Sequence, residues 1–245
     1  MKLRIATYNI HKGFSQFNRR MMVHELRHHL HALEVDIVFL QEVQGEHLRH
    51  AQRLANWPAA PQYEFLAEQM WQEYAYGCNA VYNHGHHGNA ILSRYPIISA
   101  ENQDVSAHRF EQRGLLHCEI AVGAHHVHCL CLHLGLHEWV RRRQLTAISE
   151  RVRRLVPAEA PLIVAGDFND WRNKAGAHLV TGLGLQDLFL DRRGRSARTF
   201  PSGFPLLRLD RIYTRGLTVH AVEVHHGRPW SRISDHAALS AELEL

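Results

Sequence analysis

The 245-residue sequence has only four cysteines and no long apolar run, and each absence excludes a class of protein. The cysteines form no CxxC pair and have no zinc-like spacing, so neither a disulfide scaffold nor a structural zinc site is expected. We expect all four to be reduced and structural, with Cys129 and Cys131 on one face of a strand. No apolar stretch approaches the roughly 20 residues that cross a bilayer.

A signal-peptide core, a linker and an internal repeat are also missing. The opening residues MKLRIATYNIHKG alternate apolar and polar side chains as a strand does. Glycine and proline are scattered, and no low-complexity tract interrupts the chain. We therefore expect one soluble, cytoplasmic domain over residues 1–245, with no transmembrane segment and no evident protein partner.

Net charge is small, but histidine is abundant. The chain has 28 Lys plus Arg against 24 Asp plus Glu, a formal charge of +4, and it has 22 histidines. Many of them cluster, at 28–31, 84–87, 125–128 and 225–226. Imidazole is a common transition-metal ligand, so a metal-binding role is one interpretation. The interpretation we favour places these clusters on solvated faces.

Helix and strand patterns alternate along the chain, with more strands than helices. Apolar periodicity predicts helices at 19–33, 46–57 and 138–156, and Pro157 ends the last one. Strands are predicted at 3–10, 36–40, 63–67, 80–82, 90–93, 115–122, 127–133, 161–165, 209–213, 217–226 and 237–243. Because several strands are consecutive, we expect two packed sheets, mixed or antiparallel, with helices on the outside.

Polar residues recur where the apolar strands end. Amides, carboxylates and histidines stand at Asn9, Gln41-Glu42, His133, Asp167 with Asn169, Asp210-Arg211 and Asp235-His236. This recurrence indicates that several strand tips converge on one site. Such a site has the oxygen ligands that Mg²⁺ prefers, together with a histidine and a carboxylate to orient it. Phosphoryl transfer needs those parts: a positioned nucleophile and positive charge near the non-bridging oxygens.

Seven sequence islands carry a family resemblance. They are TYNI, LQE, GNAILSR at 88–94, CLHL, GDFND at 166–170, LDRIY at 209–213 and SDH at 234–236. In this order they resemble the endonuclease/exonuclease/phosphatase superfamily, which includes DNase-I-like nucleases, sphingomyelinases and inositol-polyphosphate phosphatases. The stretches NIHKGF, GHHGNA, GDFNDWR and ARTFPS resemble its small bacterial YbhP-like subgroup. The resemblance implies an α/β (α+β) fold, a single-domain four-layered α/β/β/α sandwich of two mixed sheets flanked by helices.

The resemblance also implies a metal site and a water site. Glu42 is expected to be the main ligand of Mg²⁺, for which Mn²⁺ would substitute, with Asn9 beside it and Asp235 completing the site. Asp167 is expected to orient or deprotonate the attacking water. Asn169 is expected to hold water or a phosphate oxygen.

The remaining roles concern the phosphoryl group. His236 is expected to stabilise the pentavalent phosphorane, with Asp210 hydrogen-bonded to its ring, and His133 to lie near the leaving oxygen. Asn89 and Arg113 are lesser candidates for phosphate contacts. Structural alternatives stay open: Asp210 could pair with the adjacent arginine, His133 could be one more histidine of its strand, and Asn89 could serve a turn.

The sequence departs from the apurinic endonucleases of the superfamily. Ile10-His11 stands where those enzymes have an acidic residue, and Leu134-Gly135-Leu136 lacks their asparagine. These differences argue against an abasic-site activity.

The positions of basic and aromatic residues bear on which class of substrate is bound. Arginines cluster at 141–143 and 151–154, where a solvated helix face is expected, and at 192–198, on a loop expected to border the site. Trp171 follows GDFND and Trp230 precedes SDH, where either ring could stack on a base or enter a lipid interface.

The sequence as a whole predicts a Mg²⁺-dependent phosphodiesterase that uses metal-assisted in-line attack of water. A nuclease on DNA or RNA is the leading hypothesis, so nucleic acid is the expected partner. The alternative is a phospholipid or small-molecule phosphoesterase with the same site. A non-catalytic scaffold that binds phosphate ligands is a second alternative, although none of the main catalytic candidates is missing.

Overall fold

The computed structural model describes residues 1–108, 111–172 and 174–245. In these ranges the strands are β1 (Lys2–Asn9), β2 (Ile37–His47), β3 (Glu73–Tyr82), β4 (Gly85–Ser93), β5 (Ile97–Asp104), β6 (Gly114–Val122), β7 (His125–His133), β8 (Leu162–Asp167), β9 (Gln186–Asp187), β10 (Asp210–Arg215), β11 (Thr218–His225) and β12 (Ala238–Glu244). The helices are α1 (Val23–Ala32), α2 (Leu48–Arg53), α3 (Gln62–Ala67), α4 (Glu138–Leu155), α5 (Ala175–Leu183), α6 (Leu188–Arg193) and α7 (Trp230–Ile233).

The strands form two six-stranded mixed sheets. The first has the order β11-β12-β1-β2-β4-β3 and the second the order β5-β6-β7-β8-β10-β9. Strands β1 and β2 are parallel, as are β7 and β8, and their other neighbours are antiparallel. Each parallel pair is connected through a helix, α1 or α4, because parallel strands need a crossover. The carboxyl ends of each pair therefore lie at one edge of their sheet.

Alternating side chains give each sheet two apolar faces. In β1, Leu3 and Ile5 enter the core between the sheets, whereas Ala6 and Tyr8 enter the core beneath the helices. The same alternation places Phe39 of β2 between the sheets. This period of two is what an extended strand buried on both faces requires.

The helices cover the outer faces of the sheets. Helices α1 and α3 pack on the first sheet through residues such as Leu26 and Leu66. Helix α4 packs on the second sheet through Ile148 and Val152, and α5 does so through Leu179. The resulting order of helices, sheet, sheet and helices confirms the predicted four-layered α/β/β/α sandwich.

One predicted strand is wrong, and one predicted helix is shorter than expected. Residues 63–67, whose aromatic side chains alternate, belong to helix α3, which begins directly after Pro61 and packs Leu66 under α1. A short apolar run is ambiguous between helix and strand, and tertiary packing decides it. The helix expected at 46–57 forms only in α2, because β2 continues as far as His47.

Several elements were not predicted at all. Strand β5 is an edge strand whose side chains are mostly exposed, so it has no apolar alternation to detect. Helices α5 and α6 and the two-residue strand β9 lie between GDFND and ARTFPS, where no helix or strand pattern was identified.

The predicted solvated face of α4 is only partly exposed. Arg142, Arg143 and Arg153 are exposed, but Arg141 and Arg151 are each 3% exposed. Arg151 donates to Nδ1 of His117 at 3.2 Å and pairs with Glu101 at 2.8 Å. Two of the arginines therefore serve the packing of α4 on the second sheet.

The structure also bears on the state of the cysteines and on the search for membrane-crossing helices. All four cysteines are free, and Cys129 and Cys131 lie together in the core between the sheets. Among the helices that the structure describes, none is long and apolar enough to cross a membrane.

The packing of the two sheets can be tested at Phe39. Because this ring is fully buried between the sheets, Phe39→Ala is expected to lower the free energy of unfolding by about 3–5 kcal/mol. The control is Phe204→Ala, which removes a ring that is 73% exposed and should cost no more than about 0.5 kcal/mol. Urea denaturation measures both. Equal losses in the two variants would contradict this packing.

Candidate active site

The second sheet brings three of the predicted residues side by side. In its register His133 of β7 and Asp210 of β10 are the cross-strand partners of Asp167 at the end of β8. Gly166 precedes Asp167 with a φ of 145°, and a Cβ there would lie 2.0 Å from the carbonyl oxygen of Leu132. Glycine is therefore required for β7 and β8 to approach each other at the site.

The first sheet contributes two more residues from its own parallel pair. Asn9 ends β1 and is the cross-strand partner of Gln41 on β2. The next residue, Glu42, has a φ of 56° and lies where the register with β4 shifts. Such a bulge redirects a side chain that would otherwise alternate with its neighbours, and positive φ is uncommon outside glycine. Strain of this kind is frequent at functional sites.

The carboxylate of Asp167 is the meeting point of both sheets. Its Oδ2 accepts from Nδ2 of Asn9 at 3.1 Å and lies 3.4 Å from Nε2 of His133 and 3.8 Å from Nε2 of His236. Its Oδ1 accepts from the backbone N–H of Asn169 at 2.9 Å. Burial raises the pKa of Asp167 to about 6, although the charge of His236 acts against that increase.

His236 is held by a carboxylate on its far side. Its Nδ1 lies 2.8 Å from Oδ2 of Asp210, and both residues are buried. Burial alone would lower the pKa of the ring, but the negative charge and hydrogen bond of Asp210, together with the charges of Asp167 and Asp235, outweigh burial and raise the pKa to about 10. The imidazolium is therefore retained at neutral pH and presents Nε2 on the side of Asp167. Asp210 is thus engaged by the histidine, whereas the neighbouring Arg211 lies 3.9 Å from Asp187.

His133 has the opposite character. Burial lowers the pKa of this ring well below its usual value, and the nearby positive charge of Arg113 lowers it further. The site therefore combines one charged and one neutral imidazole, both facing the same oxygen of Asp167. Groups whose environments drive their pKa values apart are typical of acid–base sites.

The predicted metal residues have the donor chemistry of a hard cation. Oε2 of Glu42 lies 3.6 Å from Nζ of Lys12, and Oδ1 of Asp235 lies 3.2 Å from Nδ1 of His11. Both carboxylates are partly buried, and in each case a basic side chain balances the charge. Oxygen ligands from one or two carboxylates are what Mg²⁺ takes from a protein, so Glu42 and Asp235 fit such an ion.

Both polar atoms of the Asn9 side chain are hydrogen-bonded to other groups of the protein. Its Nδ2 donates to Asp167 and lies 3.5 Å from Oε1 of Glu42, while its Oδ1 accepts from the backbone N–H of His11 at 3.1 Å. The amide therefore links the carboxylate of Asp167 to that of Glu42. Its role as a metal ligand stays a prediction.

A second group of possible metal-ligand atoms also lies close together. Donor atoms of Asp167, Asp210 and His236 lie within 4.8 Å of one another, which makes them a possible metal site of carboxylates and histidine. Nδ1 of His236 is already hydrogen-bonded to Asp210, which leaves this set one ligand atom fewer for an ion, and the metal site around Glu42 stays a prediction.

The remaining candidates differ in how they are placed. Nδ2 of Asn89 donates to the carbonyl oxygens of Gly114 at 3.0 Å and Cys131 at 3.4 Å, so this amide links the two sheets. Arg113 is half-buried, and its Nε has no hydrogen-bond partner in the described parts of the chain. The phosphate contacts expected of these two residues stay predictions.

The candidates Trp171, Trp230 and Asn169 differ in their exposure and in the groups they contact. Trp171 is 42% exposed, and the guanidinium of Arg141 lies 5.0 Å from its ring centroid. Trp230 is 9% exposed and packs edge-on against Tyr8, so it is a core residue and the expectation that it contacts substrate is wrong. Nδ2 of Asn169 donates to the carbonyl oxygen of Leu134 at 2.9 Å, which fixes the loop after Asp167.

Two residues beside the carboxylates of Asp235 and Glu42, His11 and Lys12, were not predicted as site residues. They follow Asn9 directly in the motif NIHKG, and both have positive φ, 45° and 57°. The signal that could have found them is the run of basic residues after a strand-end amide. Ser234 was also missed, and its Oγ donates to the carbonyl oxygen of Asn9 at 2.7 Å, which attaches the SDH segment to β1.

Comparisons with known proteins agree with this geometry. The model of the Endonuclease/Exonuclease/phosphatase family matches residues 6–236. The "Uncharacterized protein YbhP" of Escherichia coli (strain K12) is 50% identical over 244 residues, 99% of this chain and 96% of the relative.

Two solved structures illustrate the shared fold. D. rerio TDP2 complexed with single strand DNA product has a TM-score of 0.74 at 20% identity, covering 100% of this chain and 99% of that one. The mannosyl-6-phosphatase Bt3783 of Bacteroides thetaiotaomicron has a TM-score of 0.74 at 16% identity, covering 99% of this chain and 100% of that one.

The chain therefore belongs to the Endonuclease/Exonuclease/phosphatase family, within a YbhP-like bacterial subgroup, as predicted. It is a phosphoester hydrolase of that family. Enzymes of the family are generally dependent on a divalent metal.

The link between Asp210 and His236 can be tested with a variant of the same shape. Asp210→Asn removes the charge that keeps His236 protonated, so kcat for bis-(p-nitrophenyl) phosphate is expected to fall at least ~10²-fold, the usual effect of losing an acid–base group. Asp191→Asn, at an exposed carboxylate of α6, is the matched control and should retain full activity. Circular dichroism checks that both variants fold. If Asp210→Asn folded and kept more than about a tenth of the activity, the role of this pair would be refuted.

Proposed function

We propose that this member of the family is a Mg²⁺-dependent phosphodiesterase that cleaves DNA or RNA by in-line attack of water on phosphorus. The observation that supports this proposal most is the position of Asp167, whose Oδ2 lies within 3.8 Å of the amide of Asn9 from the first sheet, the imidazole of His133 from the second sheet and the imidazole of His236 from the SDH segment. A phosphoryl group placed at this carboxylate would meet the groups that phosphoryl transfer requires.

Asp167 orients the attacking water in this proposal. Its Oδ1 is held by the backbone of Asn169, so Oδ2 has a fixed direction. A pKa of about 6 leaves the carboxylate mostly ionised at neutral pH and still basic enough to accept a proton. Asn169 lies beside it, where its amide is fixed by the carbonyl of Leu134.

The two histidines act on different oxygen atoms of the transition state. The imidazolium of His236, held by Asp210, faces the non-bridging oxygens and stabilises the pentavalent phosphorane. The neutral ring of His133 lies on the other side of Asp167, where it hydrogen-bonds the leaving oxygen. Both rings are buried, so their orientation does not depend on solvent.

The metal would be held by Glu42 and Asp235, with Asn9 beside them. When bound, Mg²⁺ supplies Lewis-acid polarisation of a phosphoryl oxygen, which contributes several kcal/mol in metal-assisted hydrolysis. Lys12, next to Glu42, adds a further positive charge at the same end of the site. Asn9 connects this end to Asp167 and so fixes the separation between metal and water.

Nucleic acid is favoured as substrate by the arginines on the loop that leads to Thr199 and Asp210. Arg193, Arg195 and Arg198 line a cavity of about 530 Å³. Their loop continues into Thr199, whose Oγ1 accepts from the backbone N–H of Asp210 at 3.2 Å, so it is fixed to the catalytic residues. Arginines that track a phosphate backbone supply most of the affinity of nucleic-acid binding. TDP2, which shares the fold, was determined with a DNA product.

The substrate class is tested by a hydrolysis panel with purified protein. The panel contains single- and double-stranded DNA, RNA, phospholipid vesicles, inositol phosphates and bis-(p-nitrophenyl) phosphate, with Mg²⁺ or with EDTA. We expect Mg²⁺-dependent cleavage of nucleic acid that His236→Ala lowers at least ~10²-fold. Binding of the same DNA is expected to weaken steeply as salt increases, because counterions are released.

Activity that is confined to lipid or small phosphoesters would overturn the nucleic-acid substrate and leave the hydrolytic mechanism. Equal cleavage in Mg²⁺ and in EDTA would contradict the metal dependence.

The metal assignment has a test of its own in Glu42→Gln. The loss of one carboxylate ligand is expected to raise the Mg²⁺ concentration for half-maximal activity at least about tenfold, since even outer-shell partners contribute that much. Glu46→Gln is the matched control, because Glu46 lies on the same strand but is exposed. Titration of activity with Mg²⁺ measures both variants. A half-maximal concentration that is the same in Glu42→Gln and in the wild type would refute the assignment.

A further inference from the structure

Past Glu42, strand β2 carries a second concave surface beside the active site. A cavity of about 480 Å³ is lined there by Lys12, Phe14, Gln44, His47, His50 and Tyr82, which we name the aromatic pocket. None of these residues belongs to the machinery of hydrolysis, except that Lys12 also contacts Glu42. The pocket therefore has to be explained by something other than the reaction itself.

The walls of the pocket are planar rings. The imidazoles of His47 and His50 stack with centroids 3.5 Å apart and planes 6° apart. The rings of Phe14 and Tyr82 contact them, with Phe14 5.0 Å from His50 and Tyr82 5.7 Å from His47. Burial lowers the pKa of His50 to about 4, so this ring is uncharged at neutral pH. The pocket offers flat, mostly neutral faces.

Hydrogen bonds through the Nδ1 atoms hold both histidine rings in place. Nδ1 of His47 accepts from the backbone N–H of His50 at 3.1 Å. The side chain of Gln44 bridges the two walls, with Nε2 donating to Oη of Tyr82 and Oε1 bonded to Nδ1 of His50, each at 3.3 Å. These contacts fix the orientation of the rings that line the pocket.

The pocket is pre-formed and continuous with the active site. Gln62 holds both of its sides, because its Nε2 donates to the carbonyl oxygen of Lys12 and its Oε1 accepts from the backbone N–H of Gln44, each at 2.8 Å. Nζ of Lys12 lies 3.6 Å from Oε2 of Glu42. A ligand in the pocket would therefore extend past Lys12 directly to the metal carboxylate.

We propose that the aromatic pocket binds a nucleobase of the substrate, next to the phosphate that is cleaved. The inference rests on the proposed function and names the part of the substrate that selects nucleic acid. Bases stack on aromatic rings whatever their sequence, because every base has a π-face. The ammonium group of Lys12 lies at the end of the pocket where the phosphate attached to that base would be.

A nucleobase fits these walls better than the other candidate ligands. A lipid chain would desolvate Lys12 and Gln44 without offering hydrogen bonds in return. A sugar phosphate without a base would leave the ring faces uncovered. The exposed part of Tyr82, 37% of its surface, is where the π-face of a ligand is received.

The test compares two probes that differ only by the base, thymidine 5′-monophosphate and 2-deoxyribose 5-phosphate. Their dissociation constants are measured by calorimetry in EDTA, so that no hydrolysis is required. The wild type is expected to bind the nucleotide about five- to 100-fold more tightly. Tyr82→Ala and His50→Ala are expected to bring this ratio close to one.

The matched control is Tyr74→Ala, which removes another exposed tyrosine of β3, 43% exposed and outside the pocket. It should keep the wild-type ratio. A wild-type ratio near one, failure of thymidine 5′-monophosphate to bind at millimolar concentration, or an unchanged ratio in both pocket variants would overturn the proposal. A ratio that depends on the rings, in a protein that cleaves no nucleic acid with Mg²⁺, would support the pocket and refute the nuclease.

Discussion

The structure depends on a buried carboxylate that neither sheet can satisfy alone. Asp167 is 1% exposed, and a charge removed from water to this degree is costly unless hydrogen bonds and opposite charges surround it. Its partners come from β1, from β7, from its own loop and from the SDH segment after α7. The two sheets are therefore constrained to one relative position, and that position is the one in which their parallel strands end together.

That constraint explains why so much of the chain could be predicted from sequence. Strand ends marked by Asn9, His133 and Asp167 lie together because parallel pairs share an edge, and this follows from the alternation of apolar residues and the two helical crossovers. The alternation in β1 predicts a strand, and both faces of that strand are buried. The alternation of apolar residues does not predict the edge strand β5, because its side chains are mostly exposed. It does not predict the short helix α3 either, because the local sequence allows helix and strand equally and packing on α1 decides between them.

The site was predicted less completely, for a related reason. Residues that follow apolar strands, such as Asn9, His133 and Asp167, carry a signal in the sequence, whereas the pairing of Asp210 with His236 was implied by the family resemblance. Lys12, His47 and His50 carry no such signal. Lys12 lies in a segment with positive φ, and His47 and His50 follow the register shift at Glu42. The local sequence encodes neither feature. His47 and His50 lie outside the histidine clusters that were expected on solvated faces, and their rings stack with one another.

The central claim is that water held at Asp167 attacks phosphorus, and the position of the new oxygen atom tests it most directly. The measurement is a single turnover of a DNA or RNA substrate with Mg²⁺ in H₂¹⁸O, followed by mass spectrometry of both products. Attack on phosphorus predicts one ¹⁸O atom in the product that carries the phosphate and none in the product that carries the new hydroxyl group. Label in that hydroxyl group, or in neither product, would contradict the account.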